Sequence, residues 1–157
     1  MQMTLPKILA AVAATLVLLI VVRLAYLSMS TKTPNHLGAK NGKLAPCPES
    51  PNCVSSQALR PAQRIEPLAV VGTPDEAIDL AVAAIDRMKR TRVVERDGGY
   101  LRAEFRSFLF RFTDDLELLY DPDVPGFQVR SASRAGHSDL GANRRRIEEL
   151  RARLHQR

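Results

Sequence analysis

The first 30 residues differ from the rest of the chain in their pattern of apolar and polar positions. Residues 8–22 form an apolar run without a charged residue, and after Arg23 the residues 24–29 are again mostly apolar. A run of about 22 residues has the length of a helix that crosses a bilayer, and Arg23 lies toward one end, where a long side chain can reach the interface. We therefore expect residues 8–29 to contact a membrane and residues 1–30 to form a transmembrane anchor or a signal segment.

Two processing events compete with an uncleaved anchor. Ser28-Met29-Ser30 offers a weak small-x-small site for signal cleavage. Residues 44–47, Leu-Ala-Pro-Cys, superficially resemble a lipoprotein signal, but a proline precedes the cysteine and the site lies far beyond the apolar run. We reject the lipoprotein interpretation and favour the anchor over cleavage, because no good A-x-A site follows the apolar run.

Cys47 and Cys53 are the two cysteines of the chain, and they flank a loop with two prolines and an asparagine. Five intervening residues can close a disulfide with acceptable geometry, and such a bond fits an oxidising compartment. The charges that flank the apolar run do not settle its orientation, so the cysteines have to help. A metal site would need further ligands, but His36, His137 and His155 lack a metal-like spacing to the cysteines. Our hypothesis is a Cys47–Cys53 disulfide with no metal and no other cofactor.

The remaining pattern predicts a short linker and one folded domain. Residues 31–43 are polar and contain glycine, which is typical of a linker, and residues 44–157 have the length of a single domain. A β-branched apolar run at 65–71 predicts the first strand. Thr-Pro-Asp-Glu at 73–76 then predicts a helix start, because it supplies a capping threonine, a proline for the first helical position and the glutamate of a capping box.

Polar and apolar residues alternate through most of the following segment. The alternating, strand-like runs are 92–96, 100–107, 108–112, 116–120 and 127–131. Asp97-Gly98-Gly99 between the first two is a strong hairpin signal, whereas Thr113-Asp114-Asp115 is interpreted as a turn. A final helix is predicted at about 142–155. This order predicts an α+β domain, with an antiparallel sheet of about four to five strands and two helices packed on one face.

The chain carries a net charge of +6, and much of the excess lies in residues 130–157, which hold eight arginines and three acids. A basic region can attract phosphate, lipid headgroups or acidic proteins, and it also keeps a protein soluble. Arg87, Lys89 and Arg90 fall in the last turn of the first predicted helix of the domain, where cations offset the helix dipole. We prefer that explanation to nucleic-acid binding and predict no nucleic-acid partner.

Residues 130–146 combine hydroxyls, guanidiniums, one histidine and one aspartate between a strand and a helix. Three consecutive arginines fall in the first turn of that helix, where the dipole disfavours cations, so carboxylates or an external anion should compensate them. One interpretation is a solvated connection in which Asp139 or Asn143 caps the helix. The other is a binding site for phosphate or carboxylate. The candidate ligand-binding residues are Arg130, Ser131, Ser133, Arg134, Asp139, Asn143 and Arg144.

A hydrolase can be drawn from the same segment, with Ser133 as nucleophile, His137 as base and Asp139 as the group that orients the base. Local clustering is weak support for a triad, and the sequence has no Gly-x-Ser-x-Gly elbow and no phosphate-binding glycine loop. We therefore predict no catalytic residues and keep the hydrolase as an alternative.

Two stretches together resemble the signatures of the family called domain of unknown function 1499. The first is Cys-Pro-Glu-Ser-Pro-Asn-Cys-Val-Ser-Ser at 47–56. The second comprises Arg130-Ser131-Ala132-Ser133-Arg134, Gly136, Ser138-Asp139, Gly141, Asn143-Arg144 and Arg146-Ile147. The resemblance covers about residues 44–154. It implies an envelope location, because members from bacteria and photosynthetic eukaryotes often follow a signal or anchor segment, and it brings no established activity.

These patterns and the resemblance predict a single-pass protein of the bacterial inner membrane, with its domain on the periplasmic side. The leading hypothesis is a non-enzymatic binding or assembly module. It would use the Arg-rich segment to bind an anionic small molecule, a lipid headgroup or a partner protein. A purely structural role is a further alternative beside the hydrolase.

Overall fold

The structure is a computed structural model, and it describes residues 4–29, 32–108, 110–124 and 126–156. Its first element is the helix α1, Leu5–Met29, and the stretch Leu5–Tyr26 has a mean hydropathy of 2.7 with none of it buried. A helix of this length and composition is compatible with a membrane anchor or a signal segment.

The other elements form an α+β domain around one antiparallel sheet. Its strands are β1 Cys53–Ser55, β2 Leu68–Ala69, β3 Thr91–Asp97, β4 Tyr100–Arg106, β5 Thr113–Asp121 and β6 Gly126–Ser133. Its helices are α2 Pro74–Asp86 and α3 Ala142–His155, with a short 3-10 turn at Pro61–Gln63. The spatial order is β1-β6-β5-β4-β3, and β2 pairs with β6 on the same edge as β1.

The described residues hold six strands instead of the predicted four to five. The strand that the sequence analysis missed is β1, whose three residues are too few to show an alternating pattern. The predicted first strand at 65–71 is reduced to the two residues of β2. Gly126 permits this short pairing, because a Cβ at that position would lie 2.1 Å from the carbonyl oxygen of Leu68.

Two local predictions are wrong. The described residues of the run 108–112 lie in the loop between β4 and β5, not in a strand. Thr113-Asp114-Asp115, interpreted as a turn, is the buried start of β5. Neighbouring aspartates favour turns when solvent is their only partner, but here each carboxylate pairs with an arginine from a distant part of the chain.

The predicted helix start and hairpin are confirmed. The Thr73 hydroxyl accepts a hydrogen bond from the Glu76 backbone N–H, and the Glu76 carboxylate accepts one from the Thr73 N–H at 2.8 Å, so the capping box is complete. Gly98 and Gly99 both have positive φ and connect β3 to β4. The final helix also begins and ends where it was predicted.

One face of the sheet packs against α2 and α3, as predicted for the two helices of the domain. The fully buried side chains of this layer include Leu101, Leu116, Leu118, Phe127 and Val129 from the sheet and Ile85, Ile147 and Leu150 from the helices. Because side chains alternate along a strand, the intervening residues of β4, β5 and β6 point to the opposite face. That face is charged, and it carries the candidate site.

Candidate functional site

Three carboxylates and three guanidiniums share the charged face of the sheet. They belong to Glu104, Asp115 and Glu117 and to Arg102, Arg130 and Arg134. All of these side chains are largely or fully buried, since none exceeds 13% exposure. Burying charges is costly unless each is paired and hydrogen-bonded, so the geometry of the pairs decides whether this cluster can exist.

Strand register creates the pairs. Glu117 lies directly opposite Arg130 across β5 and β6, and its Oε2 is 2.7 Å from Arg130 Nη1. Glu104 lies directly opposite Asp115 across β4 and β5, where two carboxylates would repel each other. Arg134 bridges them, with Nη2 at 2.6 Å from Glu104 and 2.7 Å from Asp115.

The shared arginine changes the acid–base properties of the cluster. Burial opposes ionisation of the Glu104 carboxyl, but hydrogen bonds from Arg134 and Arg92 outweigh it and hold the pKa of Glu104 below its ordinary value. The hydrogen bond to Asp115 is the largest contribution that raises the pKa of Arg134. Both shifts favour the ionised form, so the Glu104–Arg134 pair is charged at neutral pH.

Glu117 is fully buried, and both of its oxygens have partners. Its Oε2 accepts from Arg130, while its Oε1 accepts from the Tyr100 hydroxyl and from the Gly38 backbone N–H, each at 2.9 Å. Burial and the neighbouring Glu117 carboxylate raise the pKa of Tyr100. The Gly38 contact is notable, because it comes from the segment that was expected to be a linker.

Residues 34–48, here called the strap, run along the charged face. Near its start, His36 Nε2 lies 3.3 Å from Arg130 Nη2. Toward its end Leu44 is buried, and its N–H donates to the Gln57 side chain at 2.9 Å. The predicted disulfide is present and ties Cys47 of the strap to Cys53 of β1, with a Cα–Cα distance of 5.6 Å. The strap is thereby attached to the domain at several points.

A cleft of about 320 Å³ lies between the strap and the sheet. The lining residues are Pro34, His36, Leu37, Ala45, Pro46, Cys47, Pro48, Asp115, Arg130, Ala132, Ser133 and Arg134. Its walls are largely apolar and a few polar groups converge on it, which is the usual composition of a small-molecule site. Among the described residues, Arg130 Nε is the buried side-chain nitrogen or oxygen that lacks a hydrogen-bond partner.

The candidate ligand-binding residues fall on different surfaces. Arg130 and Arg134 line the cleft, and Ser133 lines it while accepting a hydrogen bond from Asn143. Ser131 and Asn143 are bonded to each other beneath α3, on the opposite face of the sheet. The role of each candidate residue in ligand binding stays a prediction.

Asp139 and Arg144 make contacts within the fold. Both oxygens of Asp139 accept backbone N–H groups at the start of α3, from Gly141 at 3.0 Å and from Asn143 at 2.7 Å. Arg144 donates to the carbonyl oxygens of residues 62 and 64. Asp139 and Arg144 therefore have hydrogen-bond partners within the fold and do not need an external ligand.

The other two arginines at the start of α3 are also compensated internally. Arg145 donates to the carbonyl oxygen of Leu140, and Arg146 pairs with Asp114. The Arg146 guanidinium also lies 4.6 Å from the ring centroid of Phe105. The helix start therefore does not require an external anion.

The hydrolase alternative gains no support from the geometry. His137 is exposed, and the Asp139 carboxylate that was to orient it accepts the backbone N–H groups of α3. Within the described residues no hydrogen bond joins Ser133, His137 and Asp139. Nowhere among the residues that the structure describes do three or more His, Cys, Asp or Glu side chains form a group that could bind a metal.

The acidic half of the cluster was not predicted from the sequence, nor were the contributions of Tyr100, His36 and Gly38. Charged residues at alternate positions of a strand usually face solvent, so Glu104, Asp115 and Glu117 carried no signal of burial. Such a signal requires the strand register, which brings positions 13 to 30 residues apart into contact.

By its fold, the protein is a small α+β domain that follows a helix long and apolar enough to cross a membrane. A family model described as "Protein of unknown function (DUF1499)" matches residues 43–154, well over half of the chain. The chain therefore belongs to the DUF1499 family, as its two signatures indicated. Searches of curated proteins and of solved structures gave no significant match.

Proposed function

We propose that this domain is a binding module for a small anionic molecule, which enters the cleft between the strap and the charged face. The observation that carries the proposal is Arg130. Its side chain is 2% exposed, it lines the cleft, and its Nε is buried without an acceptor. An unmade hydrogen bond to a charged donor is expensive, and a ligand oxygen would supply the acceptor.

The surroundings of Arg130 suggest the chemistry of the ligand. Besides the three buried guanidiniums and the three buried carboxylates, Arg92 contacts Glu104 at 3.0 Å and Glu95 contacts Arg102 at 3.1 Å, so the ion pairs of the cluster are balanced. The Arg130 Nε is a cationic donor without an acceptor, and it fits the oxygen of a carboxylate or a phosphate diester. The prolines and Leu37 of the cleft walls fit an apolar body next to that group.

The proposed location is the periplasmic side of a bacterial inner membrane, with α1 as an uncleaved single-pass anchor. The length of the apolar helix supports the anchor, and the disulfide supports an oxidising compartment. A reporter that is active only in the periplasm, fused after Arg157, should be active. An inactive fusion would contradict the proposed orientation.

Ligand binding can be tested by thermal unfolding of the full chain in detergent, against a panel of small carboxylates and phosphate esters. The full chain is needed because Pro34, His36 and Leu37 contribute to the cleft. A ligand at 100 times its Kd stabilises the native state by about 2.7 kcal/mol, which raises Tm by several degrees.

Two variants make this test specific. Ala45→Phe fills the cleft without removing an ion pair, so it should abolish the shift in Tm. Arg96→Gln removes one positive charge from β3, where Arg96 forms an exposed pair with Asp79 of α2, and it should leave the shift unchanged. Equal shifts in all three proteins, or no shift with any compound, would contradict the proposed function.

A further inference from the structure

One end of the domain carries a concentration of positive charge that the proposed cleft does not use. Two open clefts of about 280 and 610 Å³ meet there and share Arg90 and Arg106. Together they are lined by nine arginine and lysine side chains and by three carboxylates. This surface, here called the basic end, comprises the residues after α2, the loop between β4 and β5, and part of α3.

Internal partners neutralise only part of this charge. Each of the three carboxylates already contacts an arginine: Glu104 pairs with Arg92, Asp114 with Arg146, and Glu149 with Arg153. The cations without an ion pair within the described residues include Arg87, Lys89, Arg106 and Arg111. A cluster of unpaired like charges produces a strong positive potential, which attracts an anionic surface.

An exposed aromatic side chain lies within this cationic surface. Phe108, in the loop between β4 and β5, is 80% exposed, and the Arg90 guanidinium is 5.6 Å from its ring centroid. Exposed apolar side chains also occur elsewhere, for example at Val71, so exposure alone has little meaning. Phe108 differs because Arg106 and Arg111, which precede and follow it in the chain, have no ion pair within the described residues. An aromatic ring among cations is the composition of surfaces that bind the membrane interface.

Chain length brings this surface near the membrane if α1 is embedded. Pro34 lines the cleft only five residues after the last residue of α1, Met29, and five extended residues span at most about 18 Å. The cleft adjoins the basic end, because Arg134 of the cleft bonds at 2.6 Å to Glu104, which lines one of the two basic clefts. A membrane-anchored domain therefore has its basic end within reach of the lipid headgroups.

We propose that the basic end docks on an anionic lipid surface, with Phe108 inserted at headgroup level and Arg87, Lys89, Arg106 and Arg111 against lipid phosphates. Anionic lipid attracts each nearby lysine or arginine with about 1 kcal/mol, which corresponds to roughly a five-fold change in the docked-to-undocked ratio per cation. This contact does not involve Arg130 and is independent of the ligand proposed above.

The test uses the full chain in nanodiscs of phosphatidylcholine, with or without about one third phosphatidylglycerol. A Phe108→Cys variant carries a polarity-sensitive fluorophore, and the native cysteines do not compete because they form a disulfide. The matched control is Val71→Cys, which is 93% exposed. It lies at the other end of the sheet, because the neighbouring Gly72 carbonyl accepts from Tyr120 near the end of β5.

We expect the fluorophore at position 108 to shift to the blue and to be quenched by brominated lipid in anionic nanodiscs. The fluorophore at position 71 should report water in both lipids. Replacing Arg106 and Arg111 by glutamine should reduce the docked-to-undocked ratio at position 108 by roughly 25-fold at five-fold per cation, and high salt should reduce it as well. An aqueous signal at position 108 in anionic nanodiscs would overturn the proposal. So would a signal independent of phosphatidylglycerol and of both arginines, and an acidic protein partner would then be the better explanation.

Discussion

The two faces of the sheet are both buried, but by different means. The helix-covered face is mainly apolar, with Phe127, Leu116 and Leu118 fully inaccessible to solvent, and it also holds the Arg146–Asp114 pair beneath α3. The strap-covered face buries ion pairs, with Glu117 at 0% and Arg130 at 2% exposure. Apolar burial stabilises a fold directly, whereas a buried ion pair is often no better for stability than well-packed apolar residues. The helix-covered face therefore stabilises the fold directly, and the small net contribution of buried ion pairs to stability supports the proposal that the charged face binds a ligand.

The largest expected effect comes from breaking the buried ion pair. Glu117→Leu leaves the Arg130 guanidinium buried without its carboxylate, so we expect a loss of about 3–5 kcal/mol in the free energy of unfolding. The double variant with Arg130→Met should recover the part of this loss that comes from the unpaired charge, while the Tyr100 hydroxyl and the Gly38 N–H still lack their acceptor. Urea unfolding of the full chain, followed by circular dichroism, measures both. A double variant as unstable as the single one would contradict the view that the pair is dispensable for stability.

A cavity in the other face provides the comparison. Phe127→Ala should cost about 3–5 kcal/mol, because it removes a fully buried ring that packs edge-on against Tyr120 at 5.9 Å between centroids. At temperatures where the protein is folded, Phe127→Ala should leave the Kd of the ligand unchanged. If Phe127→Ala abolished ligand binding in folded protein, the claim that only the charged face binds the ligand would be wrong.

The disulfide should have a smaller effect on stability and a clear effect on the strap. Opening the short loop between Cys47 and Cys53 is expected to cost about 2 kcal/mol. Because the bond ties the strap to β1, reduction should also speed hydrogen exchange at the Gly38 amide, which donates to Glu117. Exchange measured by mass spectrometry with and without reductant checks this. Unchanged exchange at Gly38 would mean that the disulfide does not hold the strap.

Acidification should produce the smallest effect. The pKa of Glu104 in the folded protein lies below its ordinary value of about 4.5, since its hydrogen bonds to Arg134 and Arg92 outweigh the effect of burial. This carboxylate therefore contributes stability that is complete above that value and lost as the pH falls through the lower folded pKa. Unfolding free energies between pH 7 and pH 3 should decline less steeply for Glu104→Gln than for the wild type. Parallel curves would contradict the assignment.

The sequence was sufficient for elements whose signals are local. The capping box at Thr73, the hairpin turn at Gly98 and the extent of α3 all depend on residues close together in the chain, and the structure agrees with each. Asp114 and Asp115 were misjudged for the opposite reason, because the arginines that turn them into buried strand residues lie 32 and 19 positions away. Local patterns cannot report such partners.

The candidate site was predicted in part. Arg130 and Arg134 were singled out and do line the cleft, but Ser131 was grouped with them although strand alternation turns its side chain to the helix-covered face. That separation could have been deduced from the sequence. The contributions of His36 and Gly38 could not, because a polar segment before a domain gives no sign that it packs on the sheet.

The most direct test of the charged face compares one arginine from each face in native mass spectra of the full chain, purified in mild detergent from the membrane in which it is made. Arg134→Lys alters the cleft, and Arg146→Lys alters the ion pair with Asp114 beneath α3. The account predicts an anionic molecule of small mass on the wild type and on Arg146→Lys, and its loss from Arg134→Lys. No bound molecule on any of the three, or equal occupancy on both variants, would contradict it.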